Sequence, residues 1–199
     1  MAKFCGQCGT KLVDEAVFCF QCGMKQDDDA EPMNVKKMRE NIKLDVIGDY
    51  MYESDYREDF TDTVIAAASS LSCVHFREQL TTKQVKNAIS FCNNDFSMSD
   101  IVMVRDTTDF ASMKEGLIIT YYGAYYIWKG KMQSKVKFNQ IKSMKKKQTY
   151  GVGEIQFVLY DGRENTFQLH STKSALVELF VQICKCIGRY REDYPIEIS

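Results

Sequence analysis

Between positions 116 and 170 the apolar residues fall in short runs rich in β-branched and aromatic side chains, separated by residues that favour turns. Runs at 117–120, 125–128, 136–141, 155–160 and 166–170 predict five strands of a strongly twisted antiparallel sheet, with a further strand at 101–105. The breaks are Tyr122-Gly123, Lys129-Gly130, Tyr150-Gly151 and Asp161-Gly162. Of these, Asp161-Gly162 predicts a tight two-residue hairpin with positive φ at its centre.

Beyond residue 173 the period lengthens from two to that of a helix. Leu176, Leu179, Phe180, Ile183 and Ile187 form one stripe, widened by Val177 and Cys184, with Ser174 placed to cap it and 189–195 ending it. So broad a stripe suits a helix that plugs one end of the sheet better than one lying on a membrane. Upstream, Val35, Met38, Ile42 and Val46 also recur at helical spacing, while 45–62 is too acidic and irregular to give an element. Val64, Ile65, Ala68, Leu71 and Phe76 suggest a second helix or its fragments. Thr82 is placed to cap a third, in which Val85, Ala88, Ile89 and Cys92 share a face and Asn93-Asn94 ends the pattern. The expected fold class is α+β.

Length and composition suit one substantial core plus a small module: 199 residues, 45% hydrophobic and 27% charged. No apolar run approaches the roughly 18 residues of a membrane span, and Met1 is followed by Cys5 and not by a charged and then apolar leader. A cytoplasmic protein without a transmembrane segment is expected, since eight cysteines of which four are paired by spacing belong in a reducing compartment. Charge is unevenly spread. Residues 111–150 hold nine basic residues against one acidic, whereas residues 1–33 hold three against six.

The four paired cysteines are Cys5 and Cys8, then, after ten residues, Cys19 and Cys22. Two such knuckles present four thiolates to one zinc ion at about 2.3 Å, and Gly9 and Gly23 supply the tight turn after each. Four protein ligands leave no open coordination position, so one zinc per chain would be structural. In a module without its own core it would supply on the order of 10 kcal/mol of folding free energy. A disulfide pair, a redox dithiol and an iron site are the competing readings of the same thiols. The match at Cys5, Cys8, Gly9, Leu12, Phe18, Cys19, Cys22 and Gly23 resembles the zinc ribbon at the N-terminus of many bacterial and archaeal proteins. That ribbon is attached to many different partners and implies no activity.

A second resemblance lies in Asp106, Thr107, Ser112, Lys114, Gly116, Thr120, Gly123 and Tyr126, with Met113 and Glu115 as departures. These resemble a motif of bacterial proteins of unassigned activity in which such residues open a pleckstrin-homology-like (PH-like) sheet. Over roughly residues 80–187 the resemblance implies a PH-like antiparallel β-roll with N-terminal helices and a C-terminal capping helix. The expected organisation is a zinc ribbon at 1–26, an acidic linker at 27–33 containing Asp27, Asp28, Asp29 and Glu31, a helical region at 34–95 and a PH-like domain at 96–190.

The lysines are the main functional lead. Lys135 and Lys137 alternate with apolar neighbours and should share the solvent face of one strand, with Lys142 beyond them and Lys145, Lys146 and Lys147 in the following loop. Together they form a candidate anion-binding set for phosphates, on a lipid headgroup or on nucleic acid, and the sheet edges or this basic face could instead contact another protein. The plainer reading is a solvated face that discourages edge pairing, or one that docks against the acidic residues of 27–62 in the same chain. Tyr121, Tyr122, Tyr125, Tyr126 and Trp128 could stack on bases, but alternate members must face inward. Cys73, Cys92 and Cys184 are expected as buried thiols. His75 and His170 are the only histidines, no nucleophile pattern accompanies either, and Gly151-Val152-Gly153 lacks the rest of a phosphate loop. The expectation is a non-enzymatic binding or scaffold module; the alternative is nucleic-acid binding shared by ribbon and lysines.

Overall fold

Backbone contacts divide the chain into two units, Met1–Val46 and Ile47–Ser199. The structure, a computed structural model, describes residues 3–4, 11–12, 49–108, 112–149, 152–169, 173–191 and 194–199. In the first unit, β1 (Lys3–Phe4) pairs antiparallel with β2 (Lys11–Leu12), Phe4 opposite Lys11. The helix expected around Val35 to Val46 and the acidic linker lie outside the described residues.

The second unit opens with a helix where 45–62 gave no element. In α1 (Ser54–Ala68) the buried residues are Tyr56, Phe60, Val64 and Ala68, each four positions after the last. This single stripe is what folds it, because acidic residues fill the other faces and Glu53 provides no side-chain cap. Ile65, counted above with the apolar face, is exposed. The suggested helical reading of Phe76 gives way to a strand, β3 (Val74–Phe76). α2 (Thr82–Phe91) is capped by Thr81, one residue before the expected Thr82. The Thr81 hydroxyl accepts from Gln84 N–H at 3.2 Å while the Gln84 side chain accepts from Thr81 N–H at 3.1 Å. Asn93 and Asn94 end it in the left-handed region, with φ of 58° and 57°.

Two sheets follow. The first is antiparallel and runs in the order β3, β4 (Ile101–Asp106), β5 (Gly116–Thr120), β6 (Gly123–Trp128) and β7 (Lys131–Lys137). Every residue of β4 and β5 is buried, because this sheet is covered on both faces. Ile101, Val104, Ile118, Tyr125 and Ile127 pack on Ala88 of α2 and on Cys92 just past its end on one side. Leu117, Ile119, Ala124 and Val136 face a larger core on the other.

The second sheet is β10 (Glu164–Leu169), β9 (Val152–Leu159), β8 (Ile141–Thr149) and β11 (Glu197–Ile198), the last parallel to β8. Against it lies α3 (Lys173–Arg189), whose Phe180 ring sits 5.5 Å from Phe157 and 5.7 Å from Phe167. Its other flank carries Cys186 and Arg189 to Asp59 of α1, so α3 is buried on two sides and not along one stripe.

Three turn and strand expectations change. The run at 136–141 is not one strand: the chain leaves the first sheet at Lys137, makes a 3-10 turn over Phe138–Gln140 with Phe138 buried, and enters the second sheet at Ile141. Lys145, Lys146 and Lys147 are therefore in β8 and not in a loop. The two-residue turn is Lys129-Gly130, with φ of 51° and 70° and Trp128 opposite Lys131, whereas only Gly162 of Asp161-Gly162 has positive φ. There Gly162 N–H donates to Leu159 O, and Leu159 N–H to Arg163 O, closing a wider turn.

Candidate binding surface

The lysine set is exposed throughout but does not converge on one face. Lys135 and Lys137 flank buried Val136 on β7. Lys142 stands at the register shift between Ile141 and Ser143. On β8, Lys145 is opposite Gln156 and Lys147 opposite Glu154, so these two share a face. Lys146 is opposite buried Ile155 and points to the other. Among the described residues Lys135 alone of the six forms an ion pair, its Nζ lying 2.7 Å from Asp95 Oδ2 just past the end of α2.

Strands β7 and β10 are the neighbouring edges of the two sheets, and the register shows what they offer. Phe138 N–H donates to Tyr122 O at 2.8 Å, so alternate residues back to Ser134 turn their backbone toward β6, and Lys135 and Lys137 turn theirs to the open edge. In β10 the Leu159–Arg163 bond sets Asn165 toward β9, leaving the backbones of Glu164 and Thr166 at its edge. Two side chains cross between the edges: Ser134 Oγ donates to Thr166 O at 2.9 Å, and Asn165 Nδ2 donates to Lys135 O at 2.8 Å. Beside them opens a groove of about 600 Å³ lined by Lys135, Lys137, Arg163 and Glu164 together with these bridging residues. Arg163 was not singled out from sequence. It pairs with Asp161 at 2.6 Å within its own turn, and nothing local signals that this turn comes to β7.

The other sequence candidates resolve into packing. Tyr121 and Tyr125 are buried, and the Arg57 guanidinium lies over the rings of Tyr121 and Tyr122 at 4.7 and 5.7 Å while donating to the Tyr122 hydroxyl. Cys92 and Cys184 are buried, and loss of water pushes each thiol up to about 12; burial likewise takes Cys186 to about 11. Cys73 is a correction: it is exposed, at φ 60°. His75 lies half-buried in β3, and His170 lies outside the described residues.

The second motif is scaffolding. Buried Asp106 accepts from Thr108 N–H and Met113 N–H at 3.0 and 3.1 Å, which folds the turn after β4. Thr120 Oγ1 accepts from Gly123 N–H and donates to Gly123 O, both at 3.0 Å. A Cβ on Gly116 would stand 2.2 Å from Arg105 O, and one on Gly123 2.5 Å from Val136 O. Glycine is required at both by the closeness of the next strand.

A family model for a zinc-ribbon domain matches residues 4–26. No curated protein and no solved structure matches the chain. Cys5, Cys8, Cys19 and Cys22 all fall within the matched residues and outside the described ones. The Phe4–Lys11 pairing brings together the two ends of the segment that carries Cys5 and Cys8. Four thiolates are a donor set suited to a closed tetrahedral zinc site, and the chain carries a zinc-ribbon module. Among the described residues no other cluster of three or more metal-ligating side chains occurs, and no helix is long and apolar enough to cross a membrane.

Proposed function

We propose that this chain is a non-enzymatic, cytoplasmic binding module in which a structural zinc ribbon, one ion per chain, is joined to a PH-like roll that contacts an acidic protein partner. The roll is supported by the strand order: β4 to β7 antiparallel in one sheet, a sharp corner, β8 to β10 antiparallel in a second, then α3. The ribbon's metal, held by Cys5, Cys8, Cys19 and Cys22, supplies folding free energy and no chemistry, because four thiolates leave it no open position.

The observation that carries the partner class is the exposure of all six lysines on regular strands, five of them without an ion pair among the described residues. Their division between two sheets and two faces of β8 fits a partner surface better than the single stripe a duplex would need. The acidic balance of residues 1–33 works against a ribbon that shares in holding a phosphate backbone, as the nucleic-acid alternative requires.

Fluorescence anisotropy of the full chain with labelled poly-glutamate, a labelled DNA duplex and anionic vesicles tests this reading. Poly-glutamate should bind at physiological salt, and replacing Lys135, Lys137, Lys142, Lys145, Lys146 and Lys147 by Gln should abolish that binding while leaving thermal unfolding unchanged. Preference for the duplex with a steep salt dependence would establish the nucleic-acid alternative instead.

A further inference from the structure

We propose that the groove between β7 and β10 receives an extended acidic segment of the partner, added as a strand along β7. This rests on the binding-module reading and assigns it a place. Sheet edges are templates for a further strand, and here two edges from different sheets flank one cleft. β7 offers both backbone groups of Lys137 and the N–H of Lys135, and β10 those of Glu164 and the N–H of Thr166, since Lys135 O and Thr166 O already accept from Asn165 and Ser134. Only side chains, Ser134 and Asn165, bridge them. The cleft's volume of about 600 Å³ lies within the range of ligand sites, roughly 300–1,000 Å³.

Charge selects the occupant. Lys135, Lys137 and Arg163 line the groove against Glu164 alone; Lys135 also pairs with Asp95 and Arg163 with Asp161, and Lys137 has no ion pair among the described residues. The Asp161 that pairs with Arg163 is 40% exposed and its pair correspondingly weak, so a partner carboxylate can replace it. Alternating backbone donors and acceptors suit a peptide, which carries both, whereas a phosphate chain brings acceptors alone and would leave the carbonyls unpaired.

The test uses the full chain and a labelled peptide of alternating Glu and Val, with four variants. Lys135→Gln with Arg163→Gln should weaken binding about tenfold, whereas Lys145→Gln with Lys147→Gln should change it less than about twofold. Lys137→Pro should weaken binding more than Lys137→Gln, because it also removes the edge N–H. Proline is tolerated there, since that N–H points away from β6 and the residue's φ is −89°.

Equal binding by Lys137→Pro and Lys137→Gln would overturn strand addition. If Lys137→Pro unfolds, amide exchange at Lys137 in the unaltered chain decides: it should slow when peptide is added, and unchanged exchange would reject the proposal. If the seam variants bind normally while the sixfold lysine variant does not, the groove is wrong and the lysine reading stands. No binding by the unaltered chain would remove both.

Discussion

Replacing Arg191 should destabilise the second unit by releasing the corner at which the chain passes from one sheet to the other. Arg191 is 3% exposed, just beyond the end of α3, and has no carboxylate partner among the described residues. Its guanidinium donates to Phe138 O at 3.3 Å, to Ile141 O at 3.1 Å and to the Tyr160 hydroxyl at 2.8 Å, and lies 5.4 Å from the Tyr160 ring centre. Hydrogen bonds from a charged donor contribute about 1.5–3 kcal/mol each. The gross loss in Arg191→Ala is therefore several kcal/mol. Two terms reduce it: Phe138 O keeps the Ile141 N–H, and the variant no longer buries a charge whose Nε has no acceptor among the described residues. A net loss of about 3 kcal/mol remains. For a unit of this size that lowers Tm by about 6–12 °C. Thermal unfolding followed by circular dichroism measures it, with Arg191→Met as the deciding companion. Methionine keeps the packing volume and removes the charge, and if it melts at or above the unaltered protein, the guanidinium is a tolerated burden and not a clamp.

Elemental analysis should find about one zinc per chain, and Cys19→Ser should release it with loss of the ribbon's fold; a metal-free chain with unchanged thiol reactivity would reject the site. Gly116→Ala forces a methyl onto Arg105 O and should destabilise by about 1–3 kcal/mol, read from urea unfolding; a neutral result would mean that β4 and β5 can separate freely. Arg189 donates to both oxygens of Asp59, at 2.9 and 2.7 Å, and holds that carboxyl below its usual range. A depressed folded pKa gives stability present above the unfolded value, about 4, and lost as pH falls through the folded one. The melting temperatures of Arg189→Gln and the unaltered protein should thus differ at neutral pH and converge in strong acid, and a constant gap would refute the pairing.

Four of the five expected strands, β5, β6, β9 and β10, were legible where local chemistry decides them, although they belong to two sheets and not to one. The break at Lys129-Gly130, the β-branched run of β5 and the aromatic run of β6 need no distant partner to be recognised. The corner at Phe138–Gln140 was not legible, because Val136, Phe138 and Ile141 lie in one short apolar run and only the partners, Tyr122 on one side and Leu159 on the other, show that Phe138 and Ile141 belong to different sheets. For the same reason Lys145 to Lys147 read as a loop: a run of three lysines lacks alternation, and the pairing with β9 overrides it. α1 was missed at its first half although Tyr56 and Phe60 continue the spacing of Val64 and Ala68. Its acidic faces hid a stripe only one residue wide. The cysteine pairs stood out from spacing alone, and the zinc-ribbon family model matches the segment that carries them.

The two kinds of motif residue separate according to what the fold asks of them. Asp106, Gly116, Thr120 and Gly123 are each accounted for by a turn they close or a strand they let approach. A chain that shares them shares a way of building this sheet, which entails no activity. The lysines of β7 and β8 are the reverse case. Val136, Ile141 and Met144 already bind those strands to the core, and apart from the Lys135–Asp95 contact the charged heads do no packing among the described residues. Charge placed on strands that do not need it for folding is free for a partner. Lys135 and Lys137 stand beside an open sheet edge, where backbone can add to charge and turn attraction into register.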